Sequence, residues 1–382
     1  MLKIIGYRLF AIVYNLCKPL PIRKKRVFCI MTHEDGEGGN VGIAEKALKE
    51  LGEGYTFSYI RKKDTLEVKG FRNIPVLFRF FFGKSYQLAR AQIILMDNVF
   101  LPFAYLRRKK GVKVIQLWHG TGTIKKFGQH VNTGKLKLLE KRANSNITHL
   151  IVNSVKTQKL YAETFGISTN RVYPIGLPKT DELLRRIREE QRTGFCADKE
   201  AIYRKYSISK DKKLVLYAPT FRDKELHNPE VLNKLAELGK GLAKEYCLGI
   251  KLHPFIAKAE GHALPQGVCQ MSFEEDLTGL LMASDVLITD YSSIIFEYCL
   301  TGRPMVFYAY DLEEFSDRGR GFYYDYKSYV PGPVVLTAEE TAAVIREKQF
   351  EPEKREAFIR SNFTHMDGNA CKRLLELIRE KE

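Results

Sequence analysis

Short β-rich apolar runs alternate with helical stretches along most of this chain, and that alternation constrains its fold more than any other feature. It predicts an α/β protein with parallel sheets, because parallel strands are buried on both faces and need crossover helices between them. The predicted strands are residues 27–31, 55–60, 92–96, 112–117, 149–152, 213–217, 248–252, 268–271, 286–289 and 304–308. The predicted helices are residues 42–51, 100–109, 156–165, 181–191 and 199–206, with a helical stretch over 338–382.

The length of 382 residues predicts about two domains, since single cores stop growing near roughly 250–300 residues. A break rich in Pro and Gly at residues 174–178 separates two strand–helix series. We predict an N-terminal Rossmann-like domain over residues 27–176 and a C-terminal one over residues 177–382, facing each other across a central cleft. Functional side chains are expected at the carboxyl ends of the strands in such domains.

Composition excludes several classes of protein. With 45% hydrophobic and 28% charged residues, the chain is neither disordered nor fibrous. Its seven cysteines are scattered and contain no CxxC pair. A zinc site or disulfide framework is therefore not expected, and a reducing compartment fits the cysteine pattern better.

Positive charge is concentrated in the first half of the chain. Residues 1–176 hold 31 Lys and Arg against 11 Asp and Glu, whereas residues 177–382 hold 31 against 34. A half with a net charge of +20 is expected to bind something polyanionic. The candidates are nucleic acid, an anionic membrane surface and a phosphate-bearing substrate.

Residues 2–20 are mostly apolar but contain Arg8, Asn15 and Lys18. A spanning helix needs about 20 clean apolar residues, so no membrane span is predicted here. An amphipathic helix lying in a membrane interface, followed by the basic run at residues 23–26, accounts for these features. The alternative is a helix packed into the core of the first domain. We favour the interfacial helix and assign residues 1–26 to it.

A second segment combines aromatic and basic side chains: Phe71, Phe78, Phe80, Phe81 and Phe82 with Arg72, Arg79 and Lys84. This combination suits either a membrane interface or stacking on single-stranded nucleic acid. Because no nucleic-acid-binding motif accompanies it, we favour a membrane surface and expect no nucleic acid. Further basic clusters lie at residues 107–110 and 135–142, although each alone is typical of a solvated face.

His119 directly follows a predicted strand, in the sequence Trp118-His119-Gly120-Thr121. Histidine is the natural general base near neutral pH, and a strand end followed by glycine lets a substrate hydroxyl approach it. Lys125 and Lys126 are expected beside a phosphate bound there. A structural histidine in a tight turn is the alternative.

Two other strand-end loops carry groups that bind anions. His253 follows the strand at residues 248–252 and is placed to contact a phosphate or protonate a leaving group. Thr220 and Arg222 follow the strand at residues 213–217 and offer a hydroxyl and a guanidinium to an anion. A lone histidine at a strand end is, however, often structural.

Asp290, Ser292 and Ser293 follow a buried strand at the start of a predicted helix. Hydroxyls and free N–H groups at a helix start form a phosphate site. Ordinary helix capping is the alternative for two of these residues.

The motifs WHGTGTIKKFG, GLPKTDEL, YAPTFRD, KLHP, the 284–297 segment, TGRPMVFYAYDLEEF and RGRGFYYDY occur in that order. Together they resemble the CDP-glycerol glycerophosphotransferases of wall teichoic acid synthesis over residues 25–380. The resemblance implies a GT-B type fold, with the nucleotide donor in the C-terminal domain and the acceptor facing the N-terminal one. It also implies that His119 and His253 are the essential histidines and that Asp290, Ser292 and Ser293 contact the donor phosphates.

The activity implied by this resemblance is transfer of glycerol phosphate from CDP-glycerol to an undecaprenyl-diphosphate-linked disaccharide, with release of CMP. The length is more like the primase type than the polymerases. His119 is then expected to be the base, and Glu297 to hold the cytidine ribose. Neither cofactor nor metal is expected, and the implied location is peripheral, on the cytoplasmic face of the cell membrane.

Other functions stay open from the sequence. A ribitol-phosphate transferase shares the donor-site pattern, and a nucleotide-sugar glycosyltransferase could use the same fold. A non-catalytic protein that binds anionic lipids would explain the basic half, with both histidines structural.

Overall fold

A computed structural model describes residues 2–34, 36–69, 74–220, 222, 230–242, 244–252, 264–318 and 320–380. The chain forms two compact units. The first comprises Met1–Thr121, Phe127–Glu182 and Phe363–Glu382, and the second comprises Gly122–Lys126 and Leu183–Asn362. The three-part division at residues 26 and 176 stays a prediction.

The first unit is built on a parallel sheet that, in the described ranges, has six strands. These are β1 (Arg26–Met31), β2 (Thr56–Arg61), β3 (Ile93–Met96), β4 (Lys113–Gln116), β5 (His149–Ile151) and β6 (Val172–Tyr173). Their order across the sheet is β2-β1-β3-β4-β5-β6. The central strands β3 and β4 are buried at every position, as continuous apolar runs predict for a parallel sheet. The predicted α/β class is confirmed.

Helices join and cover these strands. They are α1 (Leu2–Cys17), α2 (Asn40–Glu50), α3 (Lys62–Lys69), α4 (Ile74–Phe78), α5 (Ser85–Ala89), α6 (Gly134–Asn144), α7 (Val155–Phe165) and the start of α8 (Pro178–Thr193), which continues into the second unit. A π-helical turn, Arg79–Lys84, links α4 to α5. Residues 70–73 of the predicted aromatic and basic segment, Phe71 and Arg72 among them, lie outside the described residues.

The helix predicted over residues 100–109 is wrong. Only a short 3₁₀ helix forms, at Leu101–Tyr105. The Asn146 side chain ends it, because its amide nitrogen donates to the carbonyls of Phe103 (3.0 Å) and Leu106 (3.3 Å). Its amide oxygen accepts from the backbone N–H of Arg108 at 2.9 Å. These long-range bonds replace the i→i−4 bonds that would continue a helix.

Helix α1 packs into the core and also exposes an apolar face. Phe10 and Tyr14 are buried, and the Phe10 ring meets Phe100 edge-on with centroids 5.4 Å apart. The opposite side of the helix exposes apolar residues at i, i+4, i+7 and i+11: Ile5, Leu9, Ile12 and Leu16. The two interpretations of this segment are therefore not exclusive. Deleting residues 2–20 would remove core side chains, so the deletion cannot isolate a membrane-binding role.

The second unit repeats the architecture. Its described strands are β7 (Lys213–Ala218), β8 (Tyr246–Ile250), β9 (Val268–Gln270), β10 (Val286–Thr289), β11 (Met305–Tyr308) and β12 (Val334–Val335). They form a parallel sheet in the order β12-β11-β10-β7-β8-β9. β7 and β10 are neighbours in this order, so the loops that follow them leave the same edge of the sheet.

The remaining described helices cover this second sheet or return to the first unit. They are α9 (Ala197–Lys205), α10 (Glu230–Gly241), α11 (Leu277–Ala283), α12 (Ile294–Tyr298), α13 (Leu312–Arg318), α14 (Tyr326–Tyr329), α15 (Ala338–Glu347), α16 (Pro352–Asn362) and α17 (Ala370–Arg379). Within the described ranges, every helix is too short or too polar to traverse a bilayer.

Candidate active site

His119 is aimed by an unusual backbone conformation directly before it. Trp118 has a φ of 55°, in the left-handed region that a bulky side chain adopts at a cost of about 1–2 kcal/mol. Two side chains hold it there: Gln116 accepts from the Trp118 N–H at 2.9 Å, and Asn40 donates to the Trp118 carbonyl at 3.1 Å. Strain of this kind is typical of functional positions.

The ring of His119 is oriented by a hydrogen bond and a stacking contact. Its Nδ1 lies 3.0 Å from the backbone carbonyl of Asp97. Because a carbonyl oxygen only accepts, Nδ1 carries the proton and Nε2 keeps the lone pair. The His33 ring stacks on it, with centroids 3.6 Å apart. Burial, the neighbouring His33 and the charge of Lys179 together lower the pKa of His119 to about 3.

Asp97 fixes the loop that carries His33. Its buried carboxylate accepts hydrogen bonds from the backbone N–H groups of Thr32 (2.9 Å), His33 (3.1 Å) and Glu34 (2.9 Å). Burial raises the pKa of Asp97 to about 6, although the three hydrogen bonds oppose the shift. The Asp97 side chain and its backbone carbonyl therefore position both histidines.

Lys179 adds a buried cation near this group. Its Nζ lies 2.9 Å from Glu34 Oε1, and its backbone N–H donates to Asn40 Oδ1 at 3.0 Å. The sequence interpretation missed His33, Asp97 and Lys179. The expectation that functional side chains follow strand ends, which selected His119, would have selected His33 and Asp97 as well, since His33 lies two residues after β1 and Asp97 directly follows β3.

The chain crosses into the second unit immediately after the His119 loop. Gly120 and Thr121 are buried in the first unit, and Asn153 donates to the Thr121 carbonyl at 2.7 Å. At Gly122 a Cβ would lie 2.3 Å from the Phe296 ring, so only glycine fits. A short, constrained connection thus joins His119 to the unit that contains Asp290, Ser292 and Ser293.

Lys125 and Lys126 therefore belong to the second unit. The segment pairs with residues 321–323: the Lys126 N–H donates to the Gly321 carbonyl, and the Tyr323 N–H donates to the Ile124 carbonyl, both at 3.0 Å. Burial lowers the pKa of Lys125 to about 8, opposed by the charge of Asp290 and reinforced by Arg320 and Arg222. Lys126 is exposed.

Asp290 is the centre of the second group of predicted residues. It is fully buried, and its Oδ1 accepts from the backbone N–H groups of Thr220 (2.8 Å) and Tyr291 (2.6 Å). Its Oδ2 lies 3.0 Å from Arg222. Asp290 thus joins the loop after β7 to the loop after β10.

The Arg222 guanidinium is directed at protein groups. Its Nε and one terminal nitrogen bind both oxygens of Asp311, at 2.6 and 2.7 Å, and the other terminal nitrogen donates to the Thr220 carbonyl at 2.8 Å. Burial alone would raise the pKa of Asp311, but the bonds from Arg222 and Tyr291 lower it below its ordinary value. In this arrangement Arg222 positions the loops, and its direct contact with an anion stays a prediction.

Ser292 and Ser293 precede the short helix α12. The Ser292 hydroxyl accepts from the Ile294 N–H at 3.3 Å, whereas the Ser293 side chain makes no capping hydrogen bond. Capping therefore accounts for one of the two hydroxyls and leaves Ser293 unexplained. Glu297 is buried in the same helix, one turn further on.

His253 lies outside the described residues. The strand before it, predicted to end at residue 252, ends at Ile250. The Leu252 N–H donates to Ser272 Oγ at 2.8 Å. Across the described residues, no group of three or more His, Cys, Asp or Glu side chains has an arrangement that could hold a metal ion.

The family model of the CDP-glycerol:poly(glycerophosphate) glycerophosphotransferases matches residues 11–380. The chain belongs to this family. The resemblance inferred from the motifs is confirmed, and the chain is a phosphotransferase of the glycerophosphotransferase family.

The names of its relatives differ in the alcohol phosphate and in whether the protein is a primase or a polymerase. A teichoic acid ribitol-phosphate primase of Bacillus spizizenii is 31% identical over 97% of this chain and 95% of that protein. A teichoic acid glycerol-phosphate primase of Bacillus subtilis is 33% identical over 77% and 74% of the two chains. A teichoic acid poly(ribitol-phosphate) polymerase of B. spizizenii is 30% identical over 97% of this chain, which spans only 58% of that polymerase.

The fold is shared with a solved wall teichoic acid polymerase. The wall teichoic acid polymerase TagF superposes with a TM-score of 0.78 at 22% identity, covering 99% of this chain and 94% of that one. The predicted GT-B type architecture, with two parallel-sheet units, is confirmed. A further TagF structure, with a TM-score of 0.79, was obtained after a soak with CDPG.

Proposed function

We propose that this protein transfers glycerol phosphate from CDP-glycerol to a hydroxyl of an undecaprenyl-diphosphate-linked disaccharide, releasing CMP. The observation that carries the proposal is the state of His119. Its ring is neutral at neutral pH, with Nδ1–H donated to the Asp97 carbonyl and Nε2 available. This is the protonation state that a general base requires.

The reaction follows from that assignment. His119 Nε2 takes the proton as the acceptor oxygen attacks the β-phosphorus of CDP-glycerol. A new P–O bond forms, the bond to the bridging oxygen breaks, and CMP leaves with the electron pair. His253 is proposed to stabilise or protonate the departing phosphate.

The donor is proposed to bind the second unit. The Ser293 hydroxyl, which makes no capping bond, and Ser292 are the proposed ligands of the diphosphate. Lys125 supplies a nearby cation, while Thr220, Asp290 and Arg222 hold the loops in place. Glu297 is the proposed partner of the ribose hydroxyls.

The proposed step is the primase step, with glycerol phosphate as the transferred group. Support comes from the two primases among the similar relatives, which are 31% and 33% identical to this chain. One of them is named for ribitol phosphate, so a ribitol donor is the second candidate. The two donors differ only in the alcohol, which the test below varies.

We propose that the enzyme works at the cytoplasmic face of the membrane as a peripheral protein. The exposed apolar stripe of α1, Ile5, Leu9, Ile12 and Leu16, supports this role. Phe78 and Phe82, also exposed, stack on each other with centroids 4.6 Å apart. Such apolar groups beside many cations are typical of a helix that lies in a membrane interface.

The test is nucleotide release by purified protein, measured as CMP from CDP-glycerol or CDP-ribitol and as a nucleoside diphosphate from a nucleotide sugar, each with and without a lipid-linked disaccharide acceptor. We expect acceptor-dependent release with CDP-glycerol at a rate at least about tenfold above that with CDP-ribitol, a difference that pocket contacts can supply. A preference for CDP-ribitol would assign the second candidate. Consumption of none of the donors would favour a lipid-binding protein without activity.

A further inference from the structure

A basic cavity lies in the first unit, beside α1. It has a volume of about 480 Å³ and is lined by side chains that include Asn15, Lys18, Arg107, Arg142 and Ser145. A second depression of about 730 Å³ shares Arg107 and Ser145 and adds Arg108 and Lys110. Neither depression has an Asp or Glu among the described residues that line it.

The cations of this cavity have no carboxylate to neutralise them. Over the described part of the chain, Lys18, Arg107 and Arg142 form no ion pair, and all three are exposed. Cations clustered without counter-charges repel one another, and a bound anion relieves that repulsion. The neutral groups Asn15 and Ser145 can add hydrogen bonds to the oxygens of such an anion.

The cavity is placed apart from the candidate active site. Lys18, Arg107 and Ser145 lie in segments that lead into the amino ends of β1, β4 and β5. His119, in contrast, follows the carboxyl end of β4. The two sites therefore lie at opposite ends of the strands of the same sheet.

The cavity adjoins the apolar stripe of α1. Arg8 and Asn15 are spaced at i and i+7, so they lie on one side of α1, next to the stripe, and Lys18 directly follows the last residue of the helix, Cys17. The Arg8 guanidinium lies over the Tyr105 ring, 5.5 Å from its centroid, and Tyr105 lines the cavity. An apolar face that enters a bilayer interface would bring this cavity to the depth of the headgroups.

We propose that the cavity between α1 and α6 binds the phosphate of an anionic phospholipid headgroup in the bilayer. The inference rests on the proposed membrane-surface activity and adds a specific site to it. Arg107 and Arg142 hold the phosphate oxygens, since guanidinium groups bind phosphate through paired N–H donors. Lys18 supplies a further charge, and the stripe takes the adjoining acyl region. The volume of the cavity is within the range of small-ligand sites.

The test measures sedimentation of the full chain with phosphatidylcholine vesicles that contain phosphatidylglycerol. The variant Arg107→Gln with Arg142→Gln is expected to bind these vesicles roughly twenty- to thirtyfold more weakly, the loss expected for two basic contacts. Lys135→Gln with Lys137→Gln, on exposed positions of the same helix α6, removes equal charge outside the cavity. This control is expected to lose no more than about threefold. Equal losses in the two variants would overturn the site in favour of diffuse attraction.

Two further measurements identify the ligand. Arg107→Lys with Arg142→Lys keeps the charges but lacks the paired N–H donors, so it is expected to recover only part of the binding that the Gln variant loses, and such partial recovery excludes an unfolded variant as the cause of the loss. If the loss appears only after a polyprenyl diphosphate is added to the vesicles, the acceptor lipid occupies the cavity and the bilayer assignment is wrong. CMP release with a water-soluble acceptor analogue is measured on the same variants. Absence of that release in the unmodified protein contradicts the proposed function, while the vesicle comparison still tests the cavity.

Discussion

The imidazole rings of His33 and His119 lie face to face, with centroids 3.6 Å apart and planes inclined by 19°. Both rings depend on Asp97, whose side chain fixes the backbone at His33 and whose carbonyl fixes the tautomer of His119. A second proton on His119 would place a cation against His33 and near Lys179. The arrangement therefore maintains a neutral His119 ring.

Replacing His33 tests that relationship. His33→Ala uncovers one face of His119 and removes a neighbouring titratable group, so the pKa of His119 is expected to rise. The acid limb of the transfer rate should move up by roughly one pH unit or more, measured as kcat/KM against pH. His33→Phe keeps a stacked ring and should shift the limb less. An unchanged profile in both variants would limit His33 to a structural role.

The lowered pKa of His119 also predicts how stability depends on pH. Its pKa is about 3 in the folded protein against 6.5 ordinarily, so the unfolded chain binds the proton first. The contribution of neutral His119 is complete above about pH 6.5 and is lost as the pH falls toward 3. Between about pH 7 and pH 5 the folded protein should lose about 1–2 kcal/mol more stability than His119→Gln, measured by denaturant unfolding. Parallel losses in the two proteins would contradict the lowered pKa.

The two serines of the second unit are expected to act on the donor. Ser292→Ala with Ser293→Ala should weaken CDP-glycerol binding by at least about a hundredfold, because hydrogen bonds to charged groups contribute about 1.5–3 kcal/mol each, or about 3 kcal/mol or more for the pair. Calorimetry measures the change, and Ser168→Ala, at an exposed position, is the matched control. Donor affinity within about twofold of the unmodified protein would leave these serines as structural residues.

Substitutions on the buried and on the exposed face of α1 should have different effects on stability. Phe10→Ala removes a fully buried ring and should cost about 3–5 kcal/mol of unfolding free energy. Ile12→Gln with Leu16→Gln changes side chains that are 56% and 75% exposed, so stability should stay within about 0.5 kcal/mol.

Vesicle sedimentation then tests the exposed face. The Ile12 and Leu16 variant should bind anionic vesicles at least about tenfold more weakly, because burial of apolar area contributes to interfacial binding. Val155→Gln with Phe195→Gln removes two exposed apolar side chains elsewhere and should bind normally. Equal binding by all three proteins would show that the stripe does not enter the membrane.

Hydrophobic periodicity was sufficient to predict the long strands of both units, because parallel strands are buried on both faces. It failed at residues 100–109, where the Asn146 side chain supplies hydrogen bonds from almost 40 residues away. It also could not assign α1, which is apolar both where it meets the core and where it is exposed. In both cases contacts between residues far apart in the sequence determine the local structure, and hydrophobic periodicity does not reveal those contacts.

The sequence predicted several residues of the candidate site, but it did not predict the contacts between them. We expected functional side chains at the carboxyl ends of strands, and this expectation selected His119 and Asp290. The structure places both residues in the loops after β4 and β10. The role of Arg222 depends on Asp311, 89 residues away, and no local pattern predicts that pairing. Stacking of His33 on His119 likewise requires the β1 and β4 loops to meet in the folded sheet.

The most direct test of the account measures transfer and donor binding in the same His119 variant. His119→Gln should reduce acceptor-dependent CMP release from CDP-glycerol by roughly a hundred- to ten-thousandfold, the usual contribution of a general base. Its calorimetric affinity for CDP-glycerol should stay within about twofold, since the base acts on the acceptor hydroxyl. His365→Gln, at an exposed position, should behave as the unmodified protein in both measurements. Retention of CMP release within about tenfold, or a loss of donor affinity that matches the loss of rate, would contradict the assignment of His119 as the base.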